Sequence, residues 1–422
     1  MKELGISNKN STYTKYKGEE SKLIGTHVKQ LKRSFKLNTS EIMSVLPSMH
    51  WTPKMHKVPS KSRFIVAASK CTTKELAKEI TAILKLFYRQ IENYNKKLQF
   101  GNHINSFWVV KNKDPIVASL KKLSDLNKAK SIATYDFSTL YTKIPHAKLI
   151  SVLEEITDFC FNGCNDSKLW INKGTARWCH TPKKEPNLKK RLISKDMVKK
   201  EIAYLLGNCY FKVGNIVFKQ VIGIPMGTDP VPFMANLFLY HYENKFIKEL
   251  KETDRVAARK FGHIWRYIDD LGAVNDDKMF ENNISKIYPP ELELKKENTG
   301  YLNASLLELD IRIIKDKFSL KLYDKRDDFG FSIVRMPYAS NNMPFSIFYS
   351  SFCSELLRIA RCSTDKDNFI GSAVPLMVRM FDQGAEISRT RESLSKLFGK
   401  HHSLFDKFFD SLDSFLLQLM QF

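Results

Sequence analysis

The sequence has 422 residues, of which 43% are hydrophobic and 12% are aromatic, so the chain can bury a sizeable core and is not a disordered polypeptide. It contains no run of the ~20 apolar residues that a membrane-spanning helix requires, and its N-terminus lacks the apolar region of a signal peptide. Its seven cysteines are irregularly spaced and do not form a disulfide framework. We therefore expect an intracellular protein, in the nucleus, the cytoplasm or both, with no membrane partner.

The formal net charge is +23, and the positive charge is concentrated in two regions. Residues 1–70 contain 14 Lys and Arg against 4 Asp and Glu, and residues 171–200 contain 10 against 2. Charge clustered in this way predicts a polyanionic partner, above all a nucleic acid. A basic tail that serves only solubility is the alternative, and an anionic membrane surface fits less well because neither region shows an amphipathic helical stripe.

The first elements in chain order are a loosely held basic extension over residues 1–44 and, within it, a helix near 20–35. Prolines over residues 45–70 favour extended, turning backbone that ends in a strand from Phe64 to Ala68. Apolar residues recur at helical spacing over 73–95 and predict a helix there.

A short strand, Ile132–Ser138, follows, and then a helix over about 146–159. The basic, cysteine-bearing stretch 160–200 is expected to be irregular, as an insertion or a flexible surface lobe. A strand over Val217–Ile222, a turn rich in glycine and proline, and a helix over about 231–250 come next.

Apolar residues flank two adjacent carboxylates in the segment 261–275, which predicts a hairpin with an acidic tip. A helix near 277–286 and strands over Leu306–Ile314 and Phe318–Tyr323 follow it. A helical C-terminal part over about 345–422 ends the chain. This order of elements predicts an α+β fold with a β-rich centre and a helical tail.

Three acidic residues suggest chemistry. Asp136 lies at the end of one predicted strand, and Asp269 and Asp270 lie at the hairpin tip. Two or three carboxylates beside substrate phosphates suffice to hold a pair of Mg²⁺ ions, and such a pair catalyses phosphoryl transfer. We expect Asp136 and Asp269 to bridge the two ions, for which Mn²⁺ can substitute, with Asp270 as a weaker or outer ligand. Solvated turn residues are the alternative for the adjacent pair.

Three segments resemble the A, B and C motifs of reverse transcriptases, in order and at plausible distances. They are Asp136-Phe-Ser-Thr-Leu-Tyr141, Gly223-Ile-Pro-Met-Gly-Thr228 and Tyr267-Ile-Asp-Asp270. The likeness is closest to Penelope-like and related retroelement polymerases. These share a segment similar to Pro53-Lys-Met-His-Lys57 before a strand that contains an arginine, here Arg63, and a tail on motif A similar to Leu140–His146.

Further similar segments extend the resemblance over about residues 45–405: Leu307-Glu-Leu-Asp-Ile311, Leu322-Tyr-Asp-Lys-Arg-Asp-Asp-Phe329 and Leu397-Phe-Gly-Lys-His-His402. The resemblance implies a polymerase shaped like a right hand. The fingers would comprise 45–130 and 147–215, the palm 131–146 and 216–325, and the thumb 326–422, after the basic extension 1–44. No segment resembles the GIY-YIG nuclease that some members of the group append.

The resemblance also implies roles for residues of motifs A and B. Tyr141 matches the bulky residue under the incoming sugar, whose ring would clash with a 2′-hydroxyl; packing in the core is its alternative. Gly223 and Gly227 let backbone approach the template and the nucleotide closely. Gln220 either faces the template or nucleotide or is an ordinary exposed strand residue. Met226 stands where many relatives have glutamine.

Basic residues are expected on the triphosphate. Arg63 suits this role through bidentate contact, with Lys54 or Lys57 beside it. A surface ion pair is the alternative for Arg63. Lys295 lies near the position of a lysine that protonates pyrophosphate in related polymerases, although a solvated strand edge explains it better.

Cys160, Cys164 and Cys179 do not have the spacing of a zinc finger or ribbon, so free cysteines in small cores are the preferred interpretation. The sequence leaves open whether they bind metal.

The predicted activity is that of an RNA-directed DNA polymerase, which extends a DNA primer on an RNA template with dNTPs. Protein partners are not predicted. One alternative is an RNA-directed RNA polymerase, against which Tyr141 argues. The other is a descendant of a retroelement that binds nucleic acid and no longer polymerises.

Overall fold

The computed structural model describes residues 12–37, 42–55, 61–164, 168–172, 174–179, 191–331, 333–334 and 336–420. These residues form two compact units. Unit 1 comprises Met1–Val109, Asp136–Gly262 and Lys278–Lys295, and unit 2 comprises Val110–Tyr135, His263–Asp277 and Lys296–Phe422. These units divide the chain at positions other than the predicted fingers, palm and thumb, whose bounds stay a prediction.

The strands of the described residues are, in chain order, β1 Tyr13–Lys15, β2 Ser48–Lys54, β3 Lys61–Ala67, β4 Ile132–Phe137, β5 Lys168–Asn172, β6 Thr175–Trp178, β7 Arg191–Ser194, β8 Tyr210–Val213, β9 Ile216–Gln220, β10 Ile264–Tyr267, β11 Asp270–Val274, β12 Leu294–Lys296, β13 Asn303–Leu306, β14 Leu309–Ile314 and β15 Lys317–Leu322.

The helices are α1 Glu20–Arg33, α2 Lys74–Asn102, α3 Asp114–Asp125, α4 Leu140–Lys143, α5 His146–Asn162, α6 Lys195–Gly207, α7 Val231–Thr253, α8 Arg255–Lys260, α9 Met279–Ile287, α10 Phe345–Cys362, α11 Lys366–Asp382, α12 Ile387–Lys400, α13 His402–Phe405 and α14 Leu412–Met420. No described helix is long and apolar enough to cross a bilayer. The mixture of helices and sheets agrees with the predicted α+β class.

Unit 1 contains a five-stranded sheet with the order β1-β9-β8-β2-β3. Its first strand belongs to the N-terminal extension: Tyr13 pairs with Gln220 in antiparallel register, and Tyr13 is buried against Phe211. Helix α1 buries Leu23, His27 and Leu31. The expectation of a loosely held extension is therefore wrong for residues 12–37, because strand pairing and apolar burial both tie them to the unit.

A second sheet of unit 1 has the order β6-β5-β7 and lies within the stretch that was expected to be irregular. Strand β5 alternates half-buried and buried residues and pairs with a neighbour on each side. Arg191 at the start of β7 forms ion pairs with Glu79 of α2 and with buried Glu201 of α6, where the N···O distance is 2.7 Å. Paired strands and these ion pairs order the described part of the stretch, so the expectation of irregular structure is wrong for 168–172, 174–179 and 191–194.

Unit 2 is built around one continuous core. Its apolar residues come from α3, from the antiparallel sheet β13-β14-β15 and from the helices α10 to α14. Near the C-terminus, five phenylalanine rings pack together, with centroids 4.9 to 6.0 Å apart between Phe369 and Phe405, Phe408 or Phe409, and 5.0 Å apart between Phe405 and Phe415. The predicted helical C-terminal part is confirmed for the described residues.

A four-stranded sheet has the order β10-β11-β4-β12. The predicted hairpin is present as β10 and β11, which pair in antiparallel register from Ile264 with Ala273 to Tyr267 with Asp270. The N–H of Asn275, just after β11, donates to the carbonyl of Ser131, just before β4, over 3.1 Å. The end of β11 therefore lies beside the start of β4, so these neighbouring strands run in opposite directions.

Candidate active site

The acidic hairpin has a two-residue turn, Ile268 and Asp269, and Asp270 is the first residue of β11. Ile268 has φ +57°, a conformation that a β-branched residue rarely adopts. Backbone in such sparsely populated regions persists only where its surroundings hold it, and it clusters at functional sites. The turn thus sets the backbone positions of Asp269 and Asp270 at a cost in local backbone energy.

A buried arginine supports this turn. The side chain of Arg266 in β10 is 0% exposed, and its Nη1 donates to the carbonyl of Ile268 over 3.1 Å. A charge-assisted hydrogen bond is stronger than a neutral one, and it is strengthened further by a buried setting. Arg266 therefore stabilises the carbonyl of the strained residue from beneath the hairpin. Sequence reasoning missed this residue, although a charged side chain between the apolar residues of a buried strand was a visible signal.

Asp136 follows the buried run Ile132–Tyr135 in β4 and is itself half-buried. Asp136 belongs to unit 1, whereas Asp269 and Asp270 belong to unit 2.

Carboxylate oxygens are the ligands that Mg²⁺ prefers, so the chemistry of Asp136, Asp269 and Asp270 fits this ion. Within the part of the chain that the structure describes, no group of three or more His, Cys, Asp or Glu side chains stands ready to hold a metal ion. Proteins often bind Mg²⁺ through one or two carboxylates together with substrate phosphates. The three aspartates thus match the donor type of a magnesium site without forming a complete protein cage.

The turn that resembles motif B, residues Gly223–Thr228, is called here the glycine turn, and it is held on two sides within unit 1. On one side, the N–H of Gly223 donates to the carbonyl of Ile144, and the N–H of Ile224 donates to that of Tyr141, both over 2.7 Å. On the other side, the N–H of Val66 in β3 donates to the carbonyl of Met226 over 2.8 Å.

Both glycines are required by these close approaches. Gly223 has φ +81°, and a Cβ there would lie 2.3 Å from the carbonyl oxygen of Tyr141. Gly227 has φ +104°, and a Cβ there would lie 2.2 Å from the carbonyl oxygen of Val66. Only glycine fits such positions without displacing backbone. The glycine turn therefore connects the segment of Tyr141 to β3, the strand that carries Arg63.

The predicted nucleotide-binding side chains of unit 1 occupy accessible positions. Tyr141 is half-buried in α4, and Arg63 is exposed on β3, where it pairs across the strands with Thr52. Lys54 ends β2 opposite Lys61 and is half-buried. Lys57 lies outside the described residues. These positions are compatible with the predicted roles of Arg63, Tyr141 and Lys54.

Lys295 is exposed, and its Nζ lies 3.1 Å from the carboxylate of Glu293. Glu293 also accepts a hydrogen bond from the hydroxyl of Ser138 over 3.2 Å. The ion pair agrees with the solvated strand edge that the sequence favoured for Lys295.

Gln220 is buried at the end of β9. It is 2% exposed, and its Nε2 donates to the carbonyl of Ile222 over 3.0 Å. The alternative of an ordinary exposed strand residue is therefore wrong, while a contact with the template or nucleotide stays a prediction. Gln220 holds the backbone that enters the glycine turn.

The three cysteines of the basic stretch are free thiols, and Cys160 and Cys179 are buried. Burial raises the pKa of the Cys160 thiol far above its ordinary value, with neighbouring Cys164 adding to the shift. A thiol with a raised pKa is a poor metal ligand because metals bind the thiolate. The described residues around these cysteines therefore fit small apolar cores.

Comparison with solved structures shows what the fold resembles. Telomerase from Candida albicans, in complex with the TWJ fragment of telomeric RNA, matches with a TM-score of 0.58 and 11% identity over 97% of this chain and 70% of the telomerase chain. Apo telomerase from Candida tropicalis matches with a TM-score of 0.45 and 12% identity over 94% and 69% of the two chains. The BmCPV RNA-dependent RNA polymerase at elongation state matches with a TM-score of 0.45 and 11% identity over 82% and 29%.

No protein-family model and no curated protein matches the sequence. The likeness to Candida albicans telomerase shows a polymerase fold at an identity too low to carry more than the fold.

Proposed function

We propose that this chain is an RNA-directed DNA polymerase of the Penelope-like or a related retroelement group, built like a right hand. One observation carries the proposal: within unit 1, the glycine turn is hydrogen-bonded to the segment of Tyr141 on one side and to the strand of Arg63 on the other. A nucleotide site requires a side chain that discriminates between sugars, a backbone turn that the base pair can approach closely, and an arginine that binds phosphate.

The reaction is attack of a primer 3′-hydroxyl on the α-phosphorus of a dNTP, with pyrophosphate as the leaving group. Asp136, Asp269 and Asp270 would hold Mg²⁺, or Mn²⁺ in its place; when bound, the ions neutralise triphosphate charge and lower the pKa of the hydroxyl. The preference of Mg²⁺ for carboxylate oxygens supports this choice of residues. Arg266 and the Ile268 carbonyl fix the orientation of the acidic turn.

The remaining residues bind and orient the nucleotide. Arg63 makes bidentate contact with triphosphate oxygens, and Lys54 and Lys57 add positive charge near them. Tyr141 lies under the deoxyribose and excludes a 2′-hydroxyl. The positive charge of residues 1–70 and 171–200 binds the backbone of the RNA template and the DNA primer without reading sequence.

Primer extension with a choice of nucleotide tests this proposal. On an RNA template with a DNA primer and Mg²⁺, the protein should incorporate dNTPs with a kcat/KM at least ~10²-fold above that of the matching NTPs, because discrimination rests on the fit of one hydroxyl. Preference for NTPs would instead identify an RNA polymerase. Binding of primer–template without extension by either nucleotide would identify a descendant that no longer polymerises.

A further inference from the structure

His146 is a residue that the proposed chemistry does not use, and it joins two parts of the nucleotide site. It is the first residue of α5 and the last residue of the tail Leu140–His146. Its Nε2 lies 2.6 Å from the carbonyl oxygen of Gly223 in the glycine turn. A carbonyl oxygen only accepts, so Nε2 carries the proton and donates it in this hydrogen bond.

With this hydrogen bond, both backbone polar groups of Gly223 are bonded to the tail. The N–H of Gly223 is bound by the carbonyl of Ile144, its carbonyl is bound by His146, and Pro145 forms a bridge with Ile222. The N–H of the next residue, Ile224, is bound by the carbonyl of Tyr141. The tail therefore holds the glycine turn through two backbone hydrogen bonds and the side chain of His146, and it bridges to Ile222 just before the turn.

These contacts also hold the backbone of Tyr141. The position of its ring relative to the nucleotide depends on its backbone, and that backbone is hydrogen-bonded to the glycine turn. Gly223, at φ +81°, lies so close to the Tyr141 backbone that an added Cβ would be 2.3 Å from the Tyr141 carbonyl oxygen. Without a donor at position 146, the carbonyl of Gly223 would turn to find another partner, since a partly buried acceptor is costly to leave unpaired.

The surroundings keep His146 in the donating form. The group is half-buried, and burial lowers its pKa from the ordinary value, as does Lys219 on β9, while the hydrogen bond to Gly223 opposes the shift. The neutral ring with its proton on Nε2 and the doubly protonated ring both donate from that atom.

We propose that His146 is a positioning residue for sugar discrimination: by holding the Gly223 carbonyl, it sets the distance between the Tyr141 ring and the sugar of the incoming nucleotide. The inference rests on the proposed polymerase function. It concerns selectivity rather than turnover, since Nε2 of His146 is hydrogen-bonded to the Gly223 carbonyl.

The test compares four proteins in the primer-extension assay: wild type, His146→Gln, His146→Asn and His146→Ala. A glutamine amide nitrogen reaches about as far from the backbone as Nε2 does, whereas that of asparagine reaches only as far as Nδ1. Wild type and His146→Gln should discriminate between dNTP and NTP alike. His146→Asn and His146→Ala should lose about tenfold of that discrimination, mainly through a lower KM for NTP and a higher KM for dNTP, with kcat on dNTP changed far less.

Unchanged discrimination in His146→Asn or His146→Ala would overturn the inference, and so would an equal loss in His146→Gln. If His146→Ala does not fold, as judged from its thermal transition, the comparison of the Gln and Asn variants decides alone. A wild-type protein that extends with no nucleotide would contradict the proposed function itself, and this failure is seen before any variant is compared.

Discussion

At the scale of single residues, two glycines are enclosed so tightly that neither position has room for a side chain. Gly223 and Gly227 both have positive φ values, and in each case the nearest obstacle is a backbone carbonyl oxygen, which cannot rotate away as a side chain can. Alanine at either position would be held in an unfavourable backbone conformation and would also displace a neighbouring segment.

We therefore expect Gly223→Ala and Gly227→Ala each to lower the free energy of unfolding by at least about 2 kcal/mol. Denaturant titration measures this change. Gly207→Ala at the end of α6 is the matched control, because that glycine is exposed and nothing lies within 4 Å of the added atom. The control should change the free energy by less than about 1 kcal/mol. A Gly223→Ala protein as stable as wild type would refute the geometry of the glycine turn.

The sequence allowed some residues of the site to be predicted and not others. Asp269 and the two glycines lie in turns that local sequence pattern predicts, and Asp270 begins the strand after the acidic turn. Gln220, Arg266 and His146 act through hydrogen bonds to carbonyls whose positions depend on the folded turns around them. Gln220 also pairs with Tyr13 of β1, which lies about two hundred residues earlier in the chain. A local pattern contains no information about such partners.

At the scale of elements, α1 is attached to unit 1 through a buried histidine. His27 is 1% exposed, its Nδ1 lies 3.1 Å from the hydroxyl oxygen of Thr72, and its ring packs against Tyr210. Burial lowers the pKa of His27 below its ordinary value of 6.5, and a contact with Asn208 opposes the shift only in part. The folded protein therefore favours the neutral ring.

Stability should depend on pH through this group. The unfolded chain takes up a proton at the ordinary pKa while the folded chain resists it, so the contribution of His27 is complete above pH 6.5 and is lost as the pH falls below that value. Between about pH 7 and about pH 5, the free energy of unfolding should fall more steeply for wild type than for His27→Leu.

Thr26→Ala is the control for this comparison, because it changes the exposed face of the same helix without removing a titrating group. It should keep the slope of wild type. Parallel pH profiles for wild type and His27→Leu would show that burial of His27 does not couple α1 to pH.

Elements with strong periodicity were predictable, and elements held by distant partners were not. The helices α2 and α7 and the hairpin of β10 and β11 follow from the spacing of apolar residues. Strands β5 to β7 are short and interrupted by basic residues, so no periodic pattern marks them. Their order comes from pairing and from the ion pairs of Arg191 with Glu79 and Glu201.

At the scale of the whole molecule, the order of elements predicted an α+β class, and the resemblance of the motifs predicted a polymerase fold. The likeness to Candida albicans telomerase agrees with both. The grouping of the chain into two units could not be predicted in the same way. Each unit gathers three separate segments, and strand pairs such as β1 with β9 join residues that are far apart in sequence. The net charge of +23 gives the molecule a favourable field for RNA and DNA, independent of how its elements are arranged.

We propose that the acidic hairpin catalyses nucleotide addition, and the rate of primer extension by Asp269→Ala tests this role. Asp125→Ala is the matched control, since Asp125 is an exposed aspartate at the end of α3 in the same unit. With an RNA template, a DNA primer, dNTPs and Mg²⁺, wild type and Asp125→Ala should extend the primer at similar rates. Asp269→Ala should be slower by a factor of at least ~10³ while binding primer–template as tightly, because it loses a shared metal ligand. Extension by Asp269→Ala within about tenfold of the wild-type rate would contradict the account.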